Sequence, residues 1–306
     1  MKLTAEEVRA VKNRGFLFNR DREHFSGRIL TRNGVMTSDE LEAMARAARK
    51  YGNGTVALTT RLTAEVQGLT LEAIDAFSSD IARAGLETGG TGRKVRPVVA
   101  CKGTVCVFGL IDTQALGEEM HRRFYEGYAD VTLPHKFKIA VGGCPNNCVK
   151  PDLNDFGVVG QRLRTFDAEK CRGCKKCAVG EVCPMGAASV DGGKLALDEK
   201  LCNNCARCAD KCYFGAVKGG QVRYKVYVGG RWGKLTRHGT PLKTLFDREG
   251  VLDACEKALL LFKDQGRDGE RFGMLVERLG GERVEELLLS EELLQRKDEI
   301  LHGKPV

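Results

Sequence analysis

Residues 142–148 read Gly142-Gly143-Cys144-Pro145-Asn146-Asn147-Cys148, a C-x3-C loop that follows two glycines and a run alternating from Lys136 to Val141 as a strand would. Cys101 and Cys106 form an upstream C-x4-C pair, and Val95 to Cys101 is apolar enough to be a buried strand that delivers Cys101 to its end. Taken by spacing alone, these four thiols could hold zinc, an iron–sulfur cluster or nothing. Gly142 and Gly143 let the backbone come close to a bulky group, and Pro145 stiffens the turn. Lys136 and Lys138 stand two apart on the incoming strand, so both side chains can face one side.

Eight more of the 13 cysteines lie downstream. Residues 171–177 read Cys171-Arg-Gly-Cys174-Lys-Lys-Cys177, followed by Cys183-Pro184, then Cys202-Asn-Asn-Cys205-Ala-Arg-Cys208 and Cys212. This is the bacterial ferredoxin pattern written twice, in which three cysteines grip one cubane and the fourth ligand comes from the other repeat. The pattern assigns Cys171, Cys174, Cys177 and Cys212 to one [4Fe–4S] cluster, and Cys202, Cys205, Cys208 and Cys183 to another. Tyr213, not proline, follows the last cysteine, which leaves the ligand set intact. Structural zinc sites would show separated CxxC pairs rather than triplets. Cys255, among Leu252, Ala254, Ala258 and Leu259, reads as an ordinary buried thiol. The five histidines form no ligand-spaced pair.

A chain of 306 residues, 42% hydrophobic and 29% charged, can bury a real core without disulfide staples. Its cysteine density is far below that of a disulfide scaffold, so the thiols point to metal in a reducing cytoplasm. Met1 to Phe16 is charged and has no signal-peptide stretch, and no apolar run is long enough to cross a membrane. The net charge of +8 is mostly solvated surface; no aromatic–basic stripe or motif favours nucleic acid. Basic side chains gathered around an anion would also use that excess. The glycine-rich stretches do not form a GxGxxG opening a helix, so the chain should not oxidise a nicotinamide by itself.

Along the chain, 16–30 reads as extended. A helix starts at the Thr37-x-x-Glu40 capping box and stops at Gly52. Val56 to Val66 reads as a strand, Leu71 to Ala84 as a helix, Thr113 to Tyr128 as a helix and Phe156 to Leu163 as a strand. Val222 to Val228 alternates up to Gly229-Gly230-Arg231, and helices fill the rest, including Val251 to Phe262 and Val284 to Lys297. The expected organisation is a cysteine-free half domain at 1–88 and a metal-binding domain at 89–165. A ferredoxin module at 166–218 interrupts that domain, which resumes over 219–306.

The segment Gly143-Cys144-Pro145-Asn146-Asn147-Cys148 resembles the nitrite and sulfite reductase family. There, a C-x3-C loop and an upstream cysteine pair hold a [4Fe–4S] cluster, and the last cysteine, here Cys148, also ligates the iron of a sirohaem. Leu58-Thr59-Thr60-Arg61-Leu62-Thr63 looks like the family's substrate-side strand. Val95-Arg96-Pro97 is similar to its second arginine segment, and Pro134-His135-Lys136-Phe137-Lys138 to its lysine strand. The resemblance thus implies an anion cage of Arg61, Arg96, Lys136 and Lys138, and cofactor contacts from Gly143, Asn146 and Arg231. The family usually has five residues between its first two cysteines; Cys101 and Cys106 enclose four.

With the ferredoxin block, the combination is most like the C-subunit branch of the anaerobic sulfite reductases. The fold implied is α+β, sulfite reductase-like, with an inserted two-cluster ferredoxin domain. The function implied is sulfite reduction by a sirohaem and three [4Fe–4S] clusters, with an iron–sulfur subunit and an NADH-oxidising flavoprotein as partners. Nitrite reduction and a haem-free electron-transfer role are the competing readings. The first fits the same cage, and the second needs Cys101, Cys106, Cys144 and Cys148 to hold a cluster alone.

Overall fold

A computed structural model describes residues 3–303 of the chain. Residues 1, 2 and 304–306 lie outside it, so the expectation placed on Met1 to Phe16 falls partly beyond the described residues. The strands are β1 (Phe16–Phe18), β2 (Phe25–Ile29), β3 (Val56–Leu58), β4 (Ala64–Leu69), β5 (Val99–Ala100), β6 (Ile139–Gly142), β7 (Phe156–Phe166), β8 (Ala188–Asp191), β9 (Lys194–Leu197), β10 (Val217–Val228) and β11 (Thr240–Phe246). The helices are α1 (Ala5–Lys12), α2 (Ser38–Tyr51), α3 (Ile74–Arg83), α4 (Thr113–Met120), α5 (Ala178–Glu181), α6 (Arg248–Gln265), α7 (Phe272–Leu279), α8 (Gly281–Leu289), α9 (Glu292–Gln295) and α10 (Lys297–His302).

The first unit is an antiparallel sheet, β1-β2-β4-β3, covered by α2 and α3. Its core includes Phe16, Phe25, Met44, Val66, Leu69 and Phe77. The capping box is present: Thr37 Oγ1 accepts from Glu40 N–H and Glu40 accepts from Thr37 N–H at 2.7 Å, fixing the start of α2. Val56 to Val66 is not one strand but the hairpin β3–β4. The Thr59 and Thr63 hydroxyls bond each other at 2.7 Å across its turn, and Leu62 takes a left-handed φ of 57°. Hydroxyl pairing within a Thr-rich run makes a turn where composition reads as extended chain.

The second unit is a mixed sheet, β11-β10-β7-β6-β5, in which β5, β6 and β7 are parallel. Its core is larger, built from that sheet, α4 and α6 to α8, with Phe137, Phe156, Phe262 and Phe272 fully buried. Cys255 is 0% exposed inside it. Three expectations change here. The segment Val95–Cys101 is a strand only at β5, with an isolated bridge at Val95. The helix expected to Tyr128 is α4 continued by a π-helical stretch, His121–Glu126. The helix expected over Val284 to Lys297 breaks after α8, where Ser290 caps it by bonding Glu286 O and Leu287 O.

Between β7 and β10, residues 167–216 form a separate small unit with the two-stranded sheet β8-β9 and a small core of Cys171, Val179, Leu195 and Ala216, to which Val217 of β10 adds. Among the described residues no helix is long and apolar enough to cross a membrane.

Candidate active site

Parallel strands β5 and β6 end side by side, and each is followed at once by a cysteine loop, so Cys101 and Cys144 emerge next to each other. Cys101 N–H donates to Val141 O at 3.0 Å, and Gly143 N–H donates to Cys101 Sγ at 3.1 Å. Leu110 N–H donates to Gly143 O, tying the Cys106 loop to the Cys144 loop. Burial pushes the Cys144 thiol up, and Cys101, Cys148 and Cys106 each add to that push, so the four sulfurs share one neighbourhood. The glycine at 143 is needed for this closeness. A Cβ there would meet Gly103 Cα at 2.9 Å and Cys101 Sγ at 3.4 Å. Thr113 of α4 closes the same space, at 3.2 Å from that Cβ.

Cys148 is the exposed thiol of the set and faces a cavity of about 510 Å³. Arg61, Lys138, Lys150, Asn154 and Trp232 line the same cavity. A second cavity of about 290 Å³ shares Trp232 and is lined by His135, Lys136, Arg231 and Arg271. The first cavity lies at the seam of the two large units. Arg61, on the β3–β4 turn, reaches across to Asn154 Oδ1 at 3.0 Å and Pro97 O at 2.7 Å.

The residues named from sequence therefore divide. Arg61, Lys138 and Cys148 converge on one cavity; Lys136 and Arg231 line the adjoining one. Arg96 lines neither; its guanidinium donates to Gly90 O. Lys136 and Lys138 flank Phe137, which bridges Val95 just ahead of β6; Lys136 lines one cavity and Lys138 the adjoining one. Asn146 is exposed, while Asn147, with a left-handed φ of 56°, bonds Asp152 at 2.7 Å and shapes the turn. Arg231 is tied by Nε to Leu235 O at 2.8 Å.

The electrostatics are dominated by buried cations with little to neutralise them. Burial, with repulsion from Arg96 and Arg28, brings the Arg61 guanidinium down to about 10, against the pull of Asp155. Burial likewise brings Arg96 to about 10, and burial and Arg61 bring Lys138 to about 8. Lys136 is lowered by burial, then by Arg271 and Arg96. His135 is held at about 4 by burial and then by Arg271 and Lys136, so it is neutral at physiological pH. Nε of Arg61, Arg96 and Arg271 are buried without a hydrogen-bond partner among the described residues. Such orphaned donors fit an anion-rich ligand.

Asp155 and Arg271 are absent from the sequence reading. Asp155 is fully buried, and both its oxygens accept from Arg271 Nη2, at 3.1 and 3.2 Å; Oδ2 also accepts from Lys138 N–H at 2.9 Å. It thereby fixes the backbone that carries Lys138. The two acidic and basic partners are 116 apart in sequence, and no local pattern marks either.

In the inserted unit, Cys183, Cys202, Cys205 and Cys208 line one enclosed cavity. Cys171, Cys177, Cys208 and Cys212 gather on the unit's small core, with Cys174 on the loop of Cys171. Gly173 and Asn204, each two residues after the first cysteine of its repeat, both take left-handed φ, 61° and 55°. The two loops thus share that turn, while Ala206 and Asp210 add left-handed residues that the first loop lacks.

The family described as "Nitrite and sulphite reductase 4Fe-4S domain" matches residues 91–297, and "Nitrite/Sulfite reductase ferredoxin-like half domain" matches residues 19–84. The chain belongs to the nitrite and sulphite reductase family. The coenzyme F420-dependent sulfite reductase of Methanocaldococcus jannaschii is 31% identical over 265 residues, which cover 84% of this chain and 42% of that protein. The C-subunit of the anaerobic sulfite reductase of Salmonella typhimurium is 26% identical over 184 residues, covering 54% of this chain and 52% of that one. Dissimilatory sulfite reductase I superposes with a TM-score of 0.70 at 20% identity, over 92% of this chain and 72% of that one. The chain thus has the α+β sulfite reductase-like fold, with the ferredoxin-type insertion between β7 and β10. It spans only about half the length of these two curated relatives.

Proposed function

We propose that this chain is the catalytic subunit of a sulfite reductase, taking sulfite to sulfide in a six-electron reduction at a sirohaem coupled to a [4Fe–4S] cluster. The observation that carries the reading is the convergence of Arg61, Lys138 and Cys148 on one cavity. Sirohaem, when bound, supplies an iron with an open position and a macrocycle that passes electrons to what binds there. Cys148 would join that iron to a cluster whose other ligands are Cys101, Cys106 and Cys144. The unpartnered guanidinium nitrogens of Arg61, Arg96 and Arg271 suit the macrocycle's carboxylates or the substrate anion.

Arg61 and Lys138 would hold the anion, with Lys136 and Arg231 at the adjoining opening. Buried cations attract an anion strongly, because little water screens them. A Lys138 ammonium at about 8 keeps its proton at neutral pH yet can release it, which suits a donor to departing oxygens. Asp155 would hold Lys138 in place through its backbone. The two cysteine sets of the insertion would hold two further [4Fe–4S] clusters and receive electrons from an iron–sulfur subunit and an NADH-oxidising flavoprotein.

The test is an absorption spectrum of anaerobically purified protein, followed by acid–acetone extraction of its pigment. A Soret band and an extract matching sirohaem are expected. A fully iron-loaded protein with only a broad iron–sulfur shoulder overturns the reading in favour of an electron carrier. Relative kcat/KM for sulfite and nitrite then fixes the substrate.

A further inference from the structure

Arg164 belongs to β7, but its side chain points into the inserted unit. It is only 7% exposed. Nη1 donates to Cys202 Sγ, and Nη2 to Glu199 Oε1 at 2.8 Å. Its Nε is buried without a partner among the described residues. The guanidinium lines the cavity formed by Cys183, Cys202, Cys205 and Cys208. Glu199 is 77% exposed, so water screens it and it offsets only part of the charge inside.

The other cysteine set has no such cation on a sulfur among the described residues. Cys171 Sγ accepts from Leu195 N–H at 3.3 Å, a neutral amide. The nearby Lys194 donates its ammonium to the carbonyls of Ala168 and Cys171, at 3.2 and 2.7 Å, so its charge reaches the Cys171 sulfur through space and without a hydrogen bond.

We infer that Arg164 is a positioning residue that raises the reduction potential of the cluster on Cys183, Cys202, Cys205 and Cys208 above that of the cluster on Cys171, Cys174, Cys177 and Cys212. The inference rests on the cysteine assignment of the proposed function. Reduction adds one negative charge without breaking a bond or moving a proton. A buried cation hydrogen-bonded to a ligand sulfur stabilises that charge. The favoured side is also the side next to the group of Cys101, Cys106, Cys144 and Cys148. Arg207 stacks over Phe108 at 5.0 Å, and Arg162 N–H donates to Asn204 O at 3.0 Å. Arg164 thus biases an electron in the inserted unit toward the catalytic half.

The experiment is a dithionite titration of the reconstituted full chain followed by electron paramagnetic resonance, in wild type, Arg164→Gln, Arg164→Lys and Glu199→Gln. The relevant signal is the one that Cys205→Ser alters. Arg164→Gln is expected to shift the exchange equilibrium between the two ferredoxin-type clusters by about tenfold toward the Cys171 side, about 59 mV for a one-electron couple. Arg164→Lys keeps most of the wild-type value. Glu199→Gln moves the same signal the opposite way by a smaller factor, because it removes the screening carboxylate. Unchanged potentials in iron-replete Arg164→Gln overturn the inference. If that variant loses iron, an unmoved potential in Glu199→Gln overturns it instead. Failure of the cysteine assignment is distinguishable, since it shows as missing iron in the wild type before any substitution.

Discussion

Replacing Arg61 with methionine separates a functional cation from a structural one. Bringing the guanidinium from its ordinary 12.5 to about 10 by burial costs, at about 1.4 kcal/mol for each tenfold, about 3 kcal/mol of fold stability at neutral pH. Arg61→Met removes that cost. It also strands the acceptors Asn154 Oδ1 and Pro97 O, at about 1–3 kcal/mol each where they stay buried and dry. The two contributions nearly cancel. The melting temperature of the cofactor-free variant should therefore stay within about 5 °C of wild type, because 1 kcal/mol moves a domain of this size by about 2–4 °C. Sulfite binding to the holoprotein, followed by its effect on the haem spectrum, should weaken about 10- to 150-fold, the worth of one charge-assisted hydrogen bond of about 1.5–3 kcal/mol. A fall of more than about 10 °C with unchanged sulfite affinity would refute the reasoning, since Arg61 would then be a strut.

Lys138 predicts a pH dependence of known sign. Its folded value, about 8, lies below the ordinary 10.5, so the ammonium is present at neutral pH and lost as pH rises through 8. Sulfite affinity should fall across that window, and in Lys138→Met the fall should disappear. Because the unfolded chain still binds that proton between about 8 and 10.5, the same group makes unfolding free energy rise with pH there, measurable by urea titration. Gly143→Ala should force the two cysteine loops apart, destabilise the protein by about 1–3 kcal/mol, and diminish the haem band while sparing the ferredoxin-type clusters. Cys255→Ala should leave iron content and spectrum unchanged at a stability cost of about 1–2 kcal/mol, read by calorimetry.

Much of the frame was legible because its signals are local. Thr37 and Glu40 start α2 where a capping box should, and Gly52 stops it. The cysteine loops follow β5 and β6 at once, as a strand delivering a ligand requires. What failed was locally ambiguous. Thr59-Thr60-Arg61-Leu62-Thr63 has a strand's composition, yet its hydroxyls prefer each other and close a turn. Lys136 and Lys138 do alternate about Phe137, which bridges Val95, but the regular ladder of β6 begins only at Ile139, and Lys138 N–H is held by the Asp155 carboxylate. Asp155 with Arg271, and Arg164 with Cys202, meet only through the tertiary fold, from 116 and 38 residues apart. No periodicity or motif could have joined them.

The inserted unit leaves β7 at Phe166 and returns to β10 at Val217, and those two residues face each other as partners in an antiparallel ladder that continues to Phe156 and Val228. Topologically, all of 167–216 is one oversized hairpin loop. Cutting it out and closing the ribbon with a short turn would leave every remaining pairing in register. The inserted unit is therefore a detachable cartridge, and an engineered chain could exchange it for another insert without redesigning the sheet.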